Sequence, residues 1–155
     1  RSIDFYNEIG KKSEKAGTVG GITYGPAIQL LNIDQLGELV AFFEEKSGGK
    51  DVGFISHVKY PIICDYDIAP TDWKLYVADR LEVSVSKIKN KNNIEGIQTH
   101  INGLRQETFT QERKSMLQKM FVRYNDTQDR LRNNTKTWRE LLPDLEKSIG
   151  LSVHK

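Results

Sequence analysis

The chain has 155 residues, 37% hydrophobic and 28% charged, with 23 basic residues against 21 acidic ones. That is enough for one domain with a real core, and the near-balance of charge gives no argument for nucleic acid. The single cysteine, Cys64, excludes an internal disulfide and a cysteine-rich metal site, and it points to a reducing, cytoplasmic setting. No apolar run approaches the roughly 20 residues of a membrane span, and the charged, amphipathic start lacks a signal-peptide pattern. The first residue, Arg1, raises the expectation of further residues upstream.

Residues 2 to 16 read as a helix, with Ser2 as cap and Ile3, Tyr6 and Ile9 on one side. "GTVGG" breaks it. "AIQLLN" (27 to 32) reads as a strand, apolar on both faces except at Gln29, which suits a parallel sheet covered on both sides. Asp34 is placed to cap a helix, and Leu36, Leu39, Val40 and Phe43 give it an apolar stripe that "KSGGK" ends. "VGFISHV" (52 to 58) reads as a second strand, and "IICDYDI" (62 to 68) as weakly extended. The order helix, strand, helix, strand is the rhythm of βαβ units.

Beyond Pro70 only helical stripes remain. Ala78, Leu81, Val85 and Ile88 mark a helix from Thr71 to about Asn90. Ile97, Ile101 and Leu104 mark a second from about Ile94, weakened by Gly96 and Gly103. Leu117, Met120, Phe121, Tyr124 and Leu131 mark a third from Gln111 to about Arg132. Trp138, Leu141, Leu142, Leu145 and Ile149 mark the last, which Pro143 splits and restarts as a first-turn proline. The expected organisation is an α/β segment over residues 1 to 70 and a helical extension over residues 71 to 155. "KIKNKNN" (87 to 93) is the expected exposed, mobile link.

Asn32 and His57 are the leading candidates for a site, because each ends a predicted strand. If the strands are parallel neighbours, both side chains reach the carboxyl edge of the sheet, where α/β folds bind ligands. The alternative is that Asn32 shapes a turn and His57 is a satisfied, partly buried histidine. Asp65, Asp67 and Asp72 are poorly spaced for a metal and read as solvated loop carboxylates. His100 reads as packed or solvated. Arg113, Lys114, Lys119, Arg123, Arg130, Arg132, Lys136 and Arg139 could form a basic face for RNA, though a solvated helix face is the ordinary explanation. No nucleophile elbow, phosphate loop or dinucleotide fingerprint is present.

Three segments, "AIQLLNIDQLGELVAFF", "ISHVKYPIICDYDIAPTDWK" and "FVRYNDTQDRLRNNTKTWRELLPDLEKSI", resemble in order and spacing the carboxyl-terminal half of radical SAM enzymes of the twitch type. The resemblance spans roughly residues 27 to 149. It rests on Asn32, His57, Pro61, Pro70, Lys74, Asp129, Arg132, Pro143, Asp144 and Leu145. It implies a fragment of a partial (β/α) barrel with parallel strands, followed by a helical carboxyl-terminal segment. It also implies a parent enzyme that uses S-adenosylmethionine and a [4Fe-4S] cluster to abstract hydrogen from a substrate the sequence does not name. The family's CxxxCxxC motif is lacking, so the expected partner is an amino-terminal half of the same protein. This chain alone is then inactive, with no catalytic or metal residue of its own. Asn32 and His57 would orient S-adenosylmethionine or substrate, and Asp129 with Arg132 would form an ion pair or cap. The competing expectation is a self-standing α/β-plus-helical module that binds RNA or a protein.

Overall fold

The structure is a computed structural model that describes residue 8, residues 25–132 and residues 135–153. Apart from Glu8, which is helical, the expected first helix lies outside the described residues. The described chain is mostly helical and carries a two-stranded parallel sheet. Strand β1 (Ala27–Ile28) leads through a single-turn 3-10 helix (Ile33–Gln35) into α1 (Leu36–Ser47) and returns as β2 (Ser56–His57). Ala27 pairs with Ser56 and Ile28 with His57, in parallel register. Two further 3-10 turns (Ile62–Cys64 and Tyr66–Ile68) precede α2 (Thr71–Val85), α3 (Lys91–Leu104), α4 (Gln111–Arg132), α5 (Trp138–Leu141) and α6 (Pro143–Val153).

The strands are shorter than the sequence predicts: beyond Ile28 the next β1 donor on the β2 side, the Leu30 N–H, goes to the Cys64 carbonyl at 2.8 Å, and the other edge of β1 is closed by the side chain of Asn32. Its Oδ1 accepts from the Gln29 N–H at 2.8 Å, and its Nδ2 donates to the Ala27 carbonyl at 3.1 Å. Both main-chain groups are thereby withdrawn from any further ladder. Asn32 therefore sits in the turn after β1 and not at a strand end. Asp34 does not cap α1: it falls inside the 3-10 turn, and its Oδ1 is buried without a partner. Burial pushes the Asp34 carboxyl above its ordinary pKa, against the pull of Arg80. The stretch 62 to 68 is two turns and not an extended strand.

Helix α1 ends as "KSGGK" predicts, with Gly48 left-handed at a φ of 74°. It crosses α2 closely, because a Cβ on Gly37 would lie 1.9 Å from Ser84 Oγ. The expected mobile link over 87 to 93 is instead pinned. Glu44, at the carboxyl end of α1, accepts from the Lys89 N–H at 2.8 Å, the Asn90 N–H at 3.2 Å and Asn93 Nδ2 at 2.9 Å. Asn90 caps α3 by accepting from the N–H groups of Asn92 and Asn93. Asn93 Oδ1 in turn accepts from the Val52 N–H at 2.9 Å, which ties the approach to β2 to the same knot.

One hydrophobic core runs through β1, the 3-10 turns and the helices. Ile28, Leu30, Leu36, Trp73, Val77, Ile97, Phe121 and Leu145 belong to it, so it crosses the boundary expected near residue 70. Two aromatics that flank β2 are strongly exposed: Phe54 is 81% exposed and Tyr60 is 85% exposed. Among the described residues no helix is long and apolar enough to cross a membrane.

Candidate functional site

β2 ends on His57, and the turn that follows folds back beneath it. His57 Nε2 lies 2.9 Å from Asp65 Oδ1, the oxygen that also accepts the Asp67 N–H at 2.9 Å. A carboxylate accepts here, so Nε2 carries a proton, and Nδ1 presents a lone pair whenever the ring is neutral. Nδ1 has no hydrogen-bond partner among the described residues. The His57 side chain keeps 17% of its surface open. The ring is fixed from below by Tyr66, stacked with centroids 3.8 Å apart and planes at 6°. Position and tautomer of His57 are thus both set by neighbours, as a working polar group requires.

The Tyr66 hydroxyl lies 3.2 Å from His100 Nδ1, and His100 Nε2 lies 3.4 Å from the Ile55 carbonyl. The carbonyl can only accept, so His100 donates through Nε2 and receives the Tyr66 hydroxyl proton at Nδ1. Burial holds the His100 pKa below the ordinary histidine value, in keeping with a neutral ring. Burial, with Asp67 and Asp65 nearby, pushes the Tyr66 phenol well above its usual range, so it stays a donor.

Asp67 is the least satisfied member of the cluster. It is buried, and among the described residues its Oδ1 has no hydrogen-bond partner. Burial first and the Asp65 charge second raise its pKa; a hydrogen bond from Thr108 and the nearby Lys74 only partly offset them. Lys74 is wholly buried: Nζ donates to the Gln106 carbonyl and lies 3.4 Å from Glu107 Oε1. Burial lowers the Lys74 pKa in spite of Glu107. Lys114, also buried, pairs with the other Glu107 oxygen and donates to Thr71 Oγ1 at 3.3 Å. One half-exposed carboxylate therefore serves two buried ammonium groups beside an underpaired carboxyl.

Of the two residues picked out by sequence, His57 stands at the carboxyl edge with an open nitrogen, whereas Asn32 spends its amide on its own turn. Asp65 and Asp67 read as solvated from sequence but are buried. Their signal was weak: an acidic pair around a tyrosine, eight residues after a strand-end histidine. Lys74 and Lys114 carried a stronger signal, since each falls on the apolar stripe of its helix, three residues before Val77 and Leu117. The remaining resemblance residues are structural or exposed. Asp129 accepts the Trp138 N–H at 2.9 Å, Pro143 opens α6, and Leu145 is in the core. The basic residues of 110 to 140 divide: Lys114 is buried, Arg139 pairs with Asp126, and Lys119, Arg123 and Arg130 line one open groove on α4. No family description matches this chain, and no curated protein or solved structure matches it either.

Proposed function

We propose that this chain is the carboxyl-terminal portion of a radical SAM enzyme, whose earlier barrel strands and cluster-binding cysteines lie upstream. The reading is supported chiefly by the unit β1–α1–β2. It is a parallel pair joined by a helix, and among the described residues the outer edge of β2 has no strand partner, whereas the Asn32 side chain takes up the Gln29 N–H and the Ala27 carbonyl on the outer edge of β1. A parallel pair of two residues each is not a stable sheet by itself, and further strands beside β2 would extend it. Phe54 and Tyr60, exposed beside β2, would be covered by the same extension.

The iron cluster does not fit this chain. Its ligation needs several thiolates. Cys64 supplies one thiol, whose pKa burial raises away from the thiolate form. Cluster binding therefore belongs to the proposed upstream half. In this reading the contribution of this chain is positional. His57 offers Nδ1 as an acceptor at the carboxyl edge, oriented by Asp65 and Tyr66, toward S-adenosylmethionine or substrate. Asn32 holds the turn that shapes the neighbouring strand end. The chain alone is expected to be inactive.

The coding sequence immediately upstream of Arg1 tests the proposal. An in-frame CxxxCxxC is the expected result; an in-frame stop codon directly before Arg1 would overturn it. The alternative, a self-standing module for RNA, draws support from the cationic line Lys119, Arg123 and Arg130 on α4. It predicts salt-dependent retention on RNA, and no retention at low salt would end it.

A further inference from the structure

We propose that the cleft between the carboxyl end of β1 and helices α4 and α5 binds a small molecule with a carboxylate or phosphate on an apolar body. Ile28 and Leu30 point into the core, and the intervening Gln29 and Leu31 line this cleft from the opposite side. Its volume is about 310 Å³, room for a single-ring compound. The floor is apolar, from Leu31, Ile63, Phe121 and Leu142, and the rim carries Gln29, Gln128, Arg132 and Lys136.

Charge selects the ligand class. Among the described residues neither Arg132 nor Lys136 stands in a salt bridge, although Lys136 lies near enough to Glu140 to feel its charge. Among the described residues Asp129 is the one acid lining the cleft, and it already accepts the Trp138 N–H at 2.9 Å. Asn125 is buried in the wall and donates through Nδ2 to the Phe121 carbonyl at 2.9 Å, which leaves its Oδ1 to accept from a ligand hydroxyl or amine. Two exposed cations above an apolar floor, neither held in a salt bridge among the described residues, suit an anionic head on a hydrophobic ring. Cys64 also lines the cleft and, as the single cysteine, reports occupancy.

The test uses the full chain with phenyl phosphate, benzoate and neutral benzyl alcohol as probes, and follows the rate of Cys64 alkylation by intact mass. The expected result is saturable slowing by at least one anionic probe and none by the alcohol. Phenyl phosphate against benzoate distinguishes a phosphate from a carboxylate head. The paired variant R132Q/K136Q should weaken protection about tenfold, while K119Q, in the neighbouring groove, should leave it unchanged. Both changes are at exposed positions, and a thermal melt checks that each variant folds. The proposal is overturned if neither anion protects Cys64 at about 10 mM, if the alcohol protects equally, or if K119Q weakens protection as much as the cleft variant. Binding is read on this chain alone, so its failure leaves the upstream-sequence test standing, and a stop codon before Arg1 leaves this test standing.

Discussion

The two ends of the β1–α1–β2 unit treat buried carboxylates in opposite ways. At the carboxyl end of α1, Glu44 meets three donors, from Lys89, Asn90 and Asn93. Burial alone would raise its pKa, but these donors outweigh burial and hold it below the ordinary glutamate range. At the carboxyl edge of β2, Asp67 is also buried yet keeps one oxygen unpaired, and its pKa is raised. The first carboxylate is architecture, since its hydrogen bonds hold the start of α3 in place. The second is stored polarity next to His57, the arrangement expected where a ligand or reacting group is to be met.

Substitutions can break this contrast, and the largest effect belongs to Glu44. Glu44→Ala leaves three donors without their acceptor and should lower unfolding stability by about 3 kcal/mol in urea titrations at pH 7. The sign with pH follows from the lowered pKa. The stabilisation is present above the unfolded value of about 4.3 and is lost as pH falls through the folded value, so the difference from wild type should shrink in acid. Gly37→Ala is next. Its Cβ would stand 1.9 Å from Ser84 Oγ and 2.4 Å from Ser84 Cβ. Forcing α1 off α2 should cost about 2 kcal/mol, and Gly37→Ala combined with Ser84→Gly should recover most of it.

The polar cluster predicts smaller changes. Tyr66→Phe keeps the ring stacked on His57 but leaves His100 Nδ1 without its donor, and about 1 kcal/mol should be lost in the same titration. Asp67→Asn has the opposite sign. A raised carboxyl pKa means that wild-type stability falls as pH rises through the window from about 3.9 up to the folded value. The asparagine variant should therefore be the more stable by roughly 0.5 kcal/mol at pH 7 and show no gain below about pH 4.

The sequence made the helices legible because their cores are periodic: Leu117 and Phe121 on α4 are buried and Pro143 opens α6 as the spacing predicts, although Met120, Tyr124 and Leu131 of the same stripe are exposed. It also made the parallel pairing legible, from the apolar run of β1 and the rhythm around α1. Strand lengths were not legible. The ladder ends where the Leu30 N–H turns to the Cys64 carbonyl and Asn32 folds back on Gln29, and apolar pattern is blind to both. The link at 87 to 93 misled for a related reason. Lysines and asparagines look solvated in sequence, and the acceptor that orders them, Glu44, is more than 40 residues away. The site was half visible: His57 announced itself by position, but Asp65 and Tyr66 acquire meaning only when the turn brings them under its ring.

The contrast between Glu44 and Asp67 is tested most directly by carbon-13 NMR titration of the side-chain carboxyls in the intact chain. The account predicts that Glu44 titrates below the ordinary glutamate value of about 4.3 and Asp67 above the ordinary aspartate value of about 3.9. Ordinary values for both, or the reverse order of shifts, would contradict it.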